Sequence, residues 1–196
     1  MPLTYEEKEE RLQNLLVEKG LKHKNKIVLE ETLKDAHIYC KINKLSGQST
    51  GPLLEHFIIN KLKLKKNKAS DCIGDFCKDY INYEYKGSNG GAEHNEFNFV
   101  QLRPHHQCDY IFSTYYLSES NVENLGELFI FILKKEEMKE IICKYGGYAH
   151  GTIEVLGPVK ETLQNKNNKY EYCIRPKYND KCWNELMKYR IKEEAI

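Results

Sequence analysis

Residues 74–86 read Gly-Asp-Phe-Cys-Lys-Asp-Tyr-Ile-Asn-Tyr-Glu-Tyr-Lys, and the hydrophobic pattern of the chain changes within them. Apolar residues upstream recur at helical spacing, whereas apolar and polar residues alternate from Tyr80 onwards. Alternation puts every second side chain on one face of a strand, so Asn82, Glu84 and Lys86 point the same way. The stretch therefore predicts a strand with one charged face, at the entry to a cluster of strands.

Four later segments of the chain also have the pattern of strands. Tyr and Phe, which strands favour, are common in these segments, which are 97–103, 109–117, 128–133 and 170–174. The third of them is apolar throughout, which is typical of a central strand that is covered on both faces. Ahead of them, residues 87–91 read Gly-Ser-Asn-Gly-Gly and predict a flexible connection.

Helical spacing of apolar residues predicts helices on both sides of the strand cluster. The N-terminal helices lie over about residues 4–45, and a further helix begins at Thr50 and Pro52 after a loop at 46–51. Another helix covers residues 135–145 and ends at Gly146, and a terminal helix follows Asn179, its N-cap. This order of elements predicts one α/β domain with a central mixed β-sheet flanked by helices. Its core would span about residues 50–157, and its C-terminal strand and helix about 170–194.

Composition is that of an ordinary globular domain. The chain has 196 residues, of which 40% are hydrophobic, enough for a core. No apolar run approaches the ~18–20 residues of a membrane span, and the charged N-terminus predicts no secretory signal. Seven cysteines at irregular spacing argue against a disulfide framework. We therefore expect reduced thiols that lie mostly in the core, a cytoplasmic location and no membrane partner.

The charged face of the predicted strand points to metal-assisted chemistry. If residues 74–76 form a strand and 77–79 a turn, Asp75 lies beside Glu84. Two carboxylates with a lysine alongside suit Mg²⁺, which prefers oxygen ligands and takes the rest of its shell from water and phosphate. Lys86 can then orient an attacking water or stabilise negative charge on a phosphorus centre. Asp71 stays open as an alternative to Asp75.

Asp75 followed by Glu84-Tyr85-Lys86 resembles the Asp…(Asp/Glu)-x-Lys signature of the PD-(D/E)XK nucleases, many of which are type II restriction endonucleases. Gly74 stands where that signature has proline. Similarity to several such enzymes extends to residues 97–104, 108–111 and 149–152, which read Phe-Asn-Phe-Val-Gln-Leu-Arg-Pro, Cys-Asp-Tyr-Ile and Ala-His-Gly-Thr. The resemblance covers about residues 52–157.

The resemblance implies a restriction-endonuclease-like core and Mg²⁺-dependent, sequence-specific cleavage of double-stranded DNA by a homodimer. It implies that Asp75 and Glu84 hold the metal and that Lys86 positions the water. A glutamate from the preceding helix often completes the metal shell in this family, and Glu55 occupies that place. On a helix Glu55 shares a face with apolar residues, where a carboxylate is costly unless it is paired, protonated or bound to a cation. A glutamate at the edge of that face, turned to solvent or paired with a lysine, stays open as an alternative.

Contacts to DNA have several candidates. A net charge of +1 excludes a globally basic protein, but lysines are concentrated between residues 61 and 68. The candidate residues are Lys61, Lys65, Lys66, Gln101, Arg103 and His150, and the candidate specificity loops are 87–96, 118–126 and 163–169. On a regular strand Gln101 and Arg103 would share a face with Phe97 and Phe99.

Two other functions remain open at the level of sequence. A histidine-based metal nuclease would use His105 and His106 with His94 or His150, but it needs a helix after the histidine strand and none is predicted there. A non-catalytic module that binds DNA or protein would have Glu84 and Lys86 as a surface ion pair, which contributes little and is common. Binding of Mg²⁺ would separate this second alternative from a nuclease.

Overall fold

The computed structural model describes residues 47–68, 73–91, 95–117, 127–149 and 170–192.

Several predictions from the sequence concern other parts of the chain. The predicted N-terminal helices, Asp71, His150 and the loops at 118–126 and 163–169 lie outside the described residues.

The described chain forms an α/β fold, as predicted. We number its helices and strands in chain order: α1 (Gly47–Leu62), β1 (Lys65–Lys66), β2 (Phe76–Lys78), β3 (Ile81–Gly91), β4 (Phe99–Leu102), β5 (Asp109–Leu117), β6 (Glu127–Leu133), α2 (Lys135–Tyr145), β7 (Gly147–Tyr148), β8 (Tyr172–Ile174) and α3 (Lys181–Leu186), which a 3₁₀ turn (Met187–Tyr189) follows. A five-stranded sheet has the order β1-β2-β3-β5-β6, and a three-stranded sheet has the order β4-β8-β7. The larger sheet is mixed, because β3 and β5 run parallel and its other neighbours antiparallel.

Each face of the larger sheet is covered by a separate apolar cluster. On one face α1 packs Leu54, Ile58 and Leu62 against strand residues such as Tyr85 and Ile111. The opposite face carries Tyr110 and Phe112, which pack with the smaller sheet, α2 and the buried Trp183. Because Glu84 pairs in register with Tyr110, and Lys86 with Phe112, the charged face of β3 turns towards the smaller sheet.

A two-residue turn joins β2 to β3. Phe76 pairs with Tyr83 and Lys78 with Ile81, so the turn is made by Asp79 and Tyr80 alone. Both residues have positive φ, 49° and 65°, which is the backbone of a type I′ hairpin. The hairpin was predicted, but the strand at 74–76 and the turn at 77–79 were placed too early. Ladder pairing continues through Lys78 and leaves only two residues to reverse the chain.

Glycine-rich and polar segments are more regular than predicted. Helix α1 begins at Gly47 rather than at Thr50 or Pro52, although residues 46–51 have the composition of a loop. Residues 87–91 belong to β3, where Gly87 to Gly91 pair with Ser113 to Leu117 of the parallel neighbour β5. Glycine is less favourable than other residues in helices and strands by only about 1 kcal/mol per residue, which the contacts of these elements with the rest of the fold outweigh.

Three further placements differ from the prediction. The apolar strand β6 is covered on both faces as expected, but it ends the five-stranded sheet rather than lying at its centre. Asp180, not Asn179, caps α3, because its carboxylate accepts a hydrogen bond from the backbone N–H of Trp183. Strand β4 carries a bulge, since Phe99 pairs with Ile174 but Leu102 pairs with Tyr172. The strands β5 and β8 and the helix α2 lie where they were predicted.

Among the described residues, no helix is both long enough and apolar enough to cross a membrane. Five described cysteines are free thiols, of which Cys108, Cys173 and Cys182 are buried. The burial of these three agrees with the expectation that the thiols lie mostly in the core.

Candidate active site

The carboxylate of Glu84 lies at the centre of a buried charged cluster on β3. Glu84 is only 2% exposed. Its Oε1 lies 2.8 Å from the Lys86 Nζ and 3.7 Å from an Arg103 nitrogen, whereas its Oε2 lies 3.5 Å from the His106 Nδ1. The pair of Glu84 and Lys86 is therefore not the surface pair of the non-catalytic alternative.

The neighbouring cations keep Glu84 ionised despite its burial. Burial by itself would raise the pKa of this carboxyl group, since it removes the charged form from water. The His106 ring and the Lys86 ammonium group oppose burial, and together they lower the pKa from 4.5 to about 2. Glu84 is thus a carboxylate at neutral pH, the form in which it can bind a cation.

This shift predicts how stability depends on pH. A carboxyl group with a lowered pKa in the folded state stabilises the fold above its unfolded pKa, and this contribution is lost as the pH falls through the folded pKa. For Glu84 the two values are 4.5 and about 2, a difference worth about 3 kcal/mol. Between about pH 5 and pH 2 we expect the wild type to lose about 3 kcal/mol more of its free energy of unfolding than Glu84→Gln. Urea denaturation at a series of pH values measures this, and parallel curves would contradict it.

Asp75 lies beside Glu84, just ahead of the neighbouring strand β2. Its backbone N–H donates to the carbonyl of Tyr83 at 2.8 Å, and its Oδ2 accepts from the backbone N–H of Tyr85 at 3.1 Å. The Asn67 side chain donates to the carbonyls of Gly74 and Phe76 and so holds the main chain on both sides of Asp75. Asp75 is exposed, whereas Glu84 is buried, so one carboxylate of the pair is accessible to solvent and the other is enclosed by the sheet.

Glu55 extends this charged cluster from α1. It lies at the edge of the apolar face formed by Leu54 and Ile58 and is half-buried. Burial raises the pKa of its carboxyl group, and the negative charge of Asp75 raises it further, whereas Lys66 and Lys86 lower it. Asp75 and Lys86 belong to the predicted site, so Glu55 lies within electrostatic reach of that site.

Arg103 reaches the site because of the bulge in β4. The extra residue leaves Gln101 exposed with a φ of 55°, and Arg103 then turns towards Glu84. Two nitrogens of Arg103 bond Glu171, at 2.9 and 2.7 Å, and its carbonyl accepts the Tyr110 hydroxyl at 2.9 Å. The guanidinium group is therefore held at a fixed position about 3.7 Å from Glu84. The predicted common face of Gln101 with Phe97 and Phe99 is wrong for this reason.

His106 and Cys108 complete the surroundings of Glu84, and sequence reasoning did not assign them to this site. Ligand atoms of Glu84, His106 and Cys108 all lie within 4.8 Å of one another, a spacing that no other trio of such residues has in the described parts of the chain. Burial, with the charges of Glu84 and Asp75, raises the pKa of the Cys108 thiol to about 12. Their position in the turn just ahead of β5 was the one feature of the sequence that could have placed them near Glu84. That turn leads into a strand, not the helix that a histidine-based nuclease needs.

The remaining DNA-contact candidates divide by position. Lys65 and Lys66 are exposed on the edge strand β1, and Lys66 is close enough to lower the pKa of Glu55. The Lys61 ammonium group lies over the ring of Phe57, 5.6 Å from its centre, and so points along α1. Gln101 is exposed at the bulge, away from Glu84.

Comparison with known proteins adds no assignment. No protein-family model matches the chain, and no curated protein matches it either.

Proposed function

We propose that the protein is a sequence-specific endonuclease of double-stranded DNA that hydrolyses phosphodiester bonds with Mg²⁺. The single observation that carries this proposal is the arrangement at the start of β3. A buried, ionised Glu84 contacts Lys86 at 2.8 Å, and Asp75 lies beside it, just ahead of the paired strand β2. A carboxylate pair with an adjacent lysine suits metal-assisted phosphodiester hydrolysis, because the carboxylates can hold the ion and the lysine can stabilise charge on the phosphate.

The donor set fits a hard divalent cation. Asp75 and Glu84 would hold Mg²⁺, with Glu55 in support, since all three offer carboxylate oxygens and two of them border solvent. When bound, the ion would act as a Lewis acid on the phosphate and neutralise developing charge.

The cations of the site have distinct roles in this proposal. The Lys86 Nζ, held by Glu84, orients the attacking water and stabilises negative charge on the phosphate oxygens. The Arg103 guanidinium group, fixed by Glu171, binds a second phosphate oxygen and positions the backbone of the substrate. Glu171 is therefore a positioning residue, since it acts through Arg103.

The resemblance to restriction enzymes supports the finer parts of the proposal. We propose a homodimer with one site per strand, which acts in the cytoplasm on duplex DNA. Base-edge contacts in the grooves would select the sequence, whereas phosphate contacts would set position.

The proposed activity is tested by incubating the protein with a long duplex DNA of diverse sequence. We expect discrete fragments with Mg²⁺ and none with EDTA. Glu136→Gln provides a matched control, because Glu136 forms an exposed pair with Lys139 at 2.8 Å on α2, and this variant should cleave like the wild type. A smear would contradict sequence specificity, and intact DNA from a folded sample would favour the non-catalytic alternative.

The edge strand β1 gives a separate prediction about binding. Lys65 and Lys66 are exposed and adjacent to the site, so they are placed to neutralise phosphates. We expect Lys65→Ala/Lys66→Ala to flatten the dependence of log K on log salt by about 0.9 for each phosphate that the variant no longer neutralises. Fluorescence anisotropy over a range of salt concentrations measures this slope. As a control, Lys144→Ala/Lys188→Ala removes two exposed lysines elsewhere. An equal slope in the wild type and the Lys65/Lys66 variant would show that β1 does not contact DNA.

A further inference from the structure

The two oxygens of Glu84 face different sets of partners. Oε1 lies near Lys86 and Arg103, which the proposed nuclease uses. Oε2 lies near His106, and beyond it the Cys108 sulfur belongs to the same group of ligand atoms within 4.8 Å. The nuclease chemistry uses neither His106 nor Cys108.

Carboxylate, imidazole and thiolate are the three ligand types that Zn²⁺ accepts, whereas Mg²⁺ prefers oxygen alone. We propose that Glu84, His106 and Cys108 bind Zn²⁺ or a similar borderline divalent ion, and that this ion inhibits cleavage. Binding does not depend on the proposed function, whereas the inhibition rests on it.

The charges of the three ligands favour such an ion. Cys108 would bind as a thiolate, with its proton passing to solvent, and Glu84 is the second anionic ligand. Two negative ligands match the charge of a divalent ion, which lowers the cost of holding the ion in the buried site. Three protein ligands also leave a fourth position for water, as in open zinc sites.

The geometry needs only a small adjustment. Zinc–ligand bonds of about 2.0–2.3 Å bring neighbouring ligand atoms to within about 4 Å of one another. The present spacing of up to 4.8 Å lies within about 1 Å of this value, and His106 lies in the turn between β4 and β5. An ion on Oε2 takes up the negative charge with which Glu84 would hold Mg²⁺, which accounts for the inhibition.

Binding is tested with Co²⁺ as a spectroscopic probe on the full chain. We expect one Co²⁺ per chain, with a thiolate-to-cobalt charge-transfer band and the strong visible bands of a four-coordinate ion. Cys108→Ser should lose the thiolate band. Cys143→Ser is the matched control, since Cys143 is an exposed free thiol on α2, and this variant should keep the band.

Two results would overturn the metal site. One is the absence of a thiolate band in the Co²⁺-loaded wild type, a result that does not depend on the folding of any variant. The other is a band that persists in Cys108→Ser. A second variant, His106→Asn, keeps the thiol and should weaken Co²⁺ binding at least about tenfold.

Inhibition is tested by adding Zn²⁺ to the Mg²⁺-dependent cleavage reaction. We expect the wild type to be inhibited and Cys108→Ser to need at least tenfold more Zn²⁺ for the same effect. Equal sensitivity of the two proteins would overturn the inhibitory role. If neither protein cleaves DNA, the proposed function and the inhibition fail together, while the Co²⁺ spectra still decide whether the metal site exists.

Discussion

Glu84→Gln is expected to lower Mg²⁺-dependent cleavage at least about a thousandfold while DNA binding stays within about tenfold of the wild type, about 1.4 kcal/mol. Glutamine has the size of glutamate but carries no charge, so it removes the buried carboxylate that contacts Lys86 at 2.8 Å. Lys86→Ala should have a similar effect, because it removes the other member of the pair. Single-turnover cleavage and fluorescence anisotropy on the same duplex separate the two quantities.

The control for this experiment is Glu136→Gln, which removes a carboxylate from an exposed lysine pair of the same length. Circular dichroism should show that each variant is folded. Cleavage by both Glu84→Gln and Lys86→Ala at the wild-type rate would contradict the assignment of the site.

Gly74→Ala is expected to destabilise the protein by about 2 kcal/mol and to slow cleavage about a hundredfold or more. Gly74 has a φ of +81°, which an L side chain rarely adopts. A Cβ at this position would also lie 2.6 Å from the carbonyl oxygen of Tyr83 and 3.0 Å from the Cβ of Cys108. Relief of this overlap moves the next residue, Asp75, away from Glu84.

Gly51→Ala is the matched control, because a Cβ on Gly51 meets nothing within 4 Å. It should leave cleavage unchanged and stability within about 1 kcal/mol of the wild type, since the better helix propensity of alanine is opposed by Pro52, which disfavours a helical side chain at the preceding residue. Thermal denaturation and cleavage rates of the two variants make the comparison. If the Gly74→Ala protein were as stable and active as the Gly51→Ala protein, the backbone at residue 74 would not need glycine to position Asp75.

The same geometry explains why proline is absent at residue 74. Proline fixes φ near −65°, whereas Gly74 has +81°. The proline of the PD-(D/E)XK signature is therefore incompatible with the path of the chain into Asp75 here.

The parts of the fold that the sequence predicts well are those with local signals. Strand β5 and helix α2 follow from alternation and helical spacing, and the common face of Glu84 and Lys86 follows from their separation by two residues. The hairpin that brings Asp75 next to Glu84 is also local, and only the position of its turn was wrong.

The rest depends on contacts between distant segments, which periodicity does not record. The bulge at Gln101 changes the direction of Arg103, and nothing in the alternation of β4 indicates an extra residue. Glu171 fixes Arg103 from the segment ahead of β8, and no motif connects them. The burial of Glu84 beside Cys108 likewise arises only when β3 and β5 pair.

The contacts that fix Asp75 and Arg103 differ in sequence separation. Asp75 and the N–H of Tyr85 that it binds are ten residues apart, so a short hairpin loop brings the carboxylates together at a small entropic cost. Arg103 and Glu171 are 68 residues apart, and their contact forms only when the smaller sheet is assembled. Because the shorter loop closes at the smaller entropic cost, we expect the carboxylates to come together before Arg103 is fixed, so that a partly folded chain would hold the acidic half of the site without its immobilised arginine. If the protein cleaves DNA as proposed, full activity would then require the completed fold, and partly folded copies would lack it.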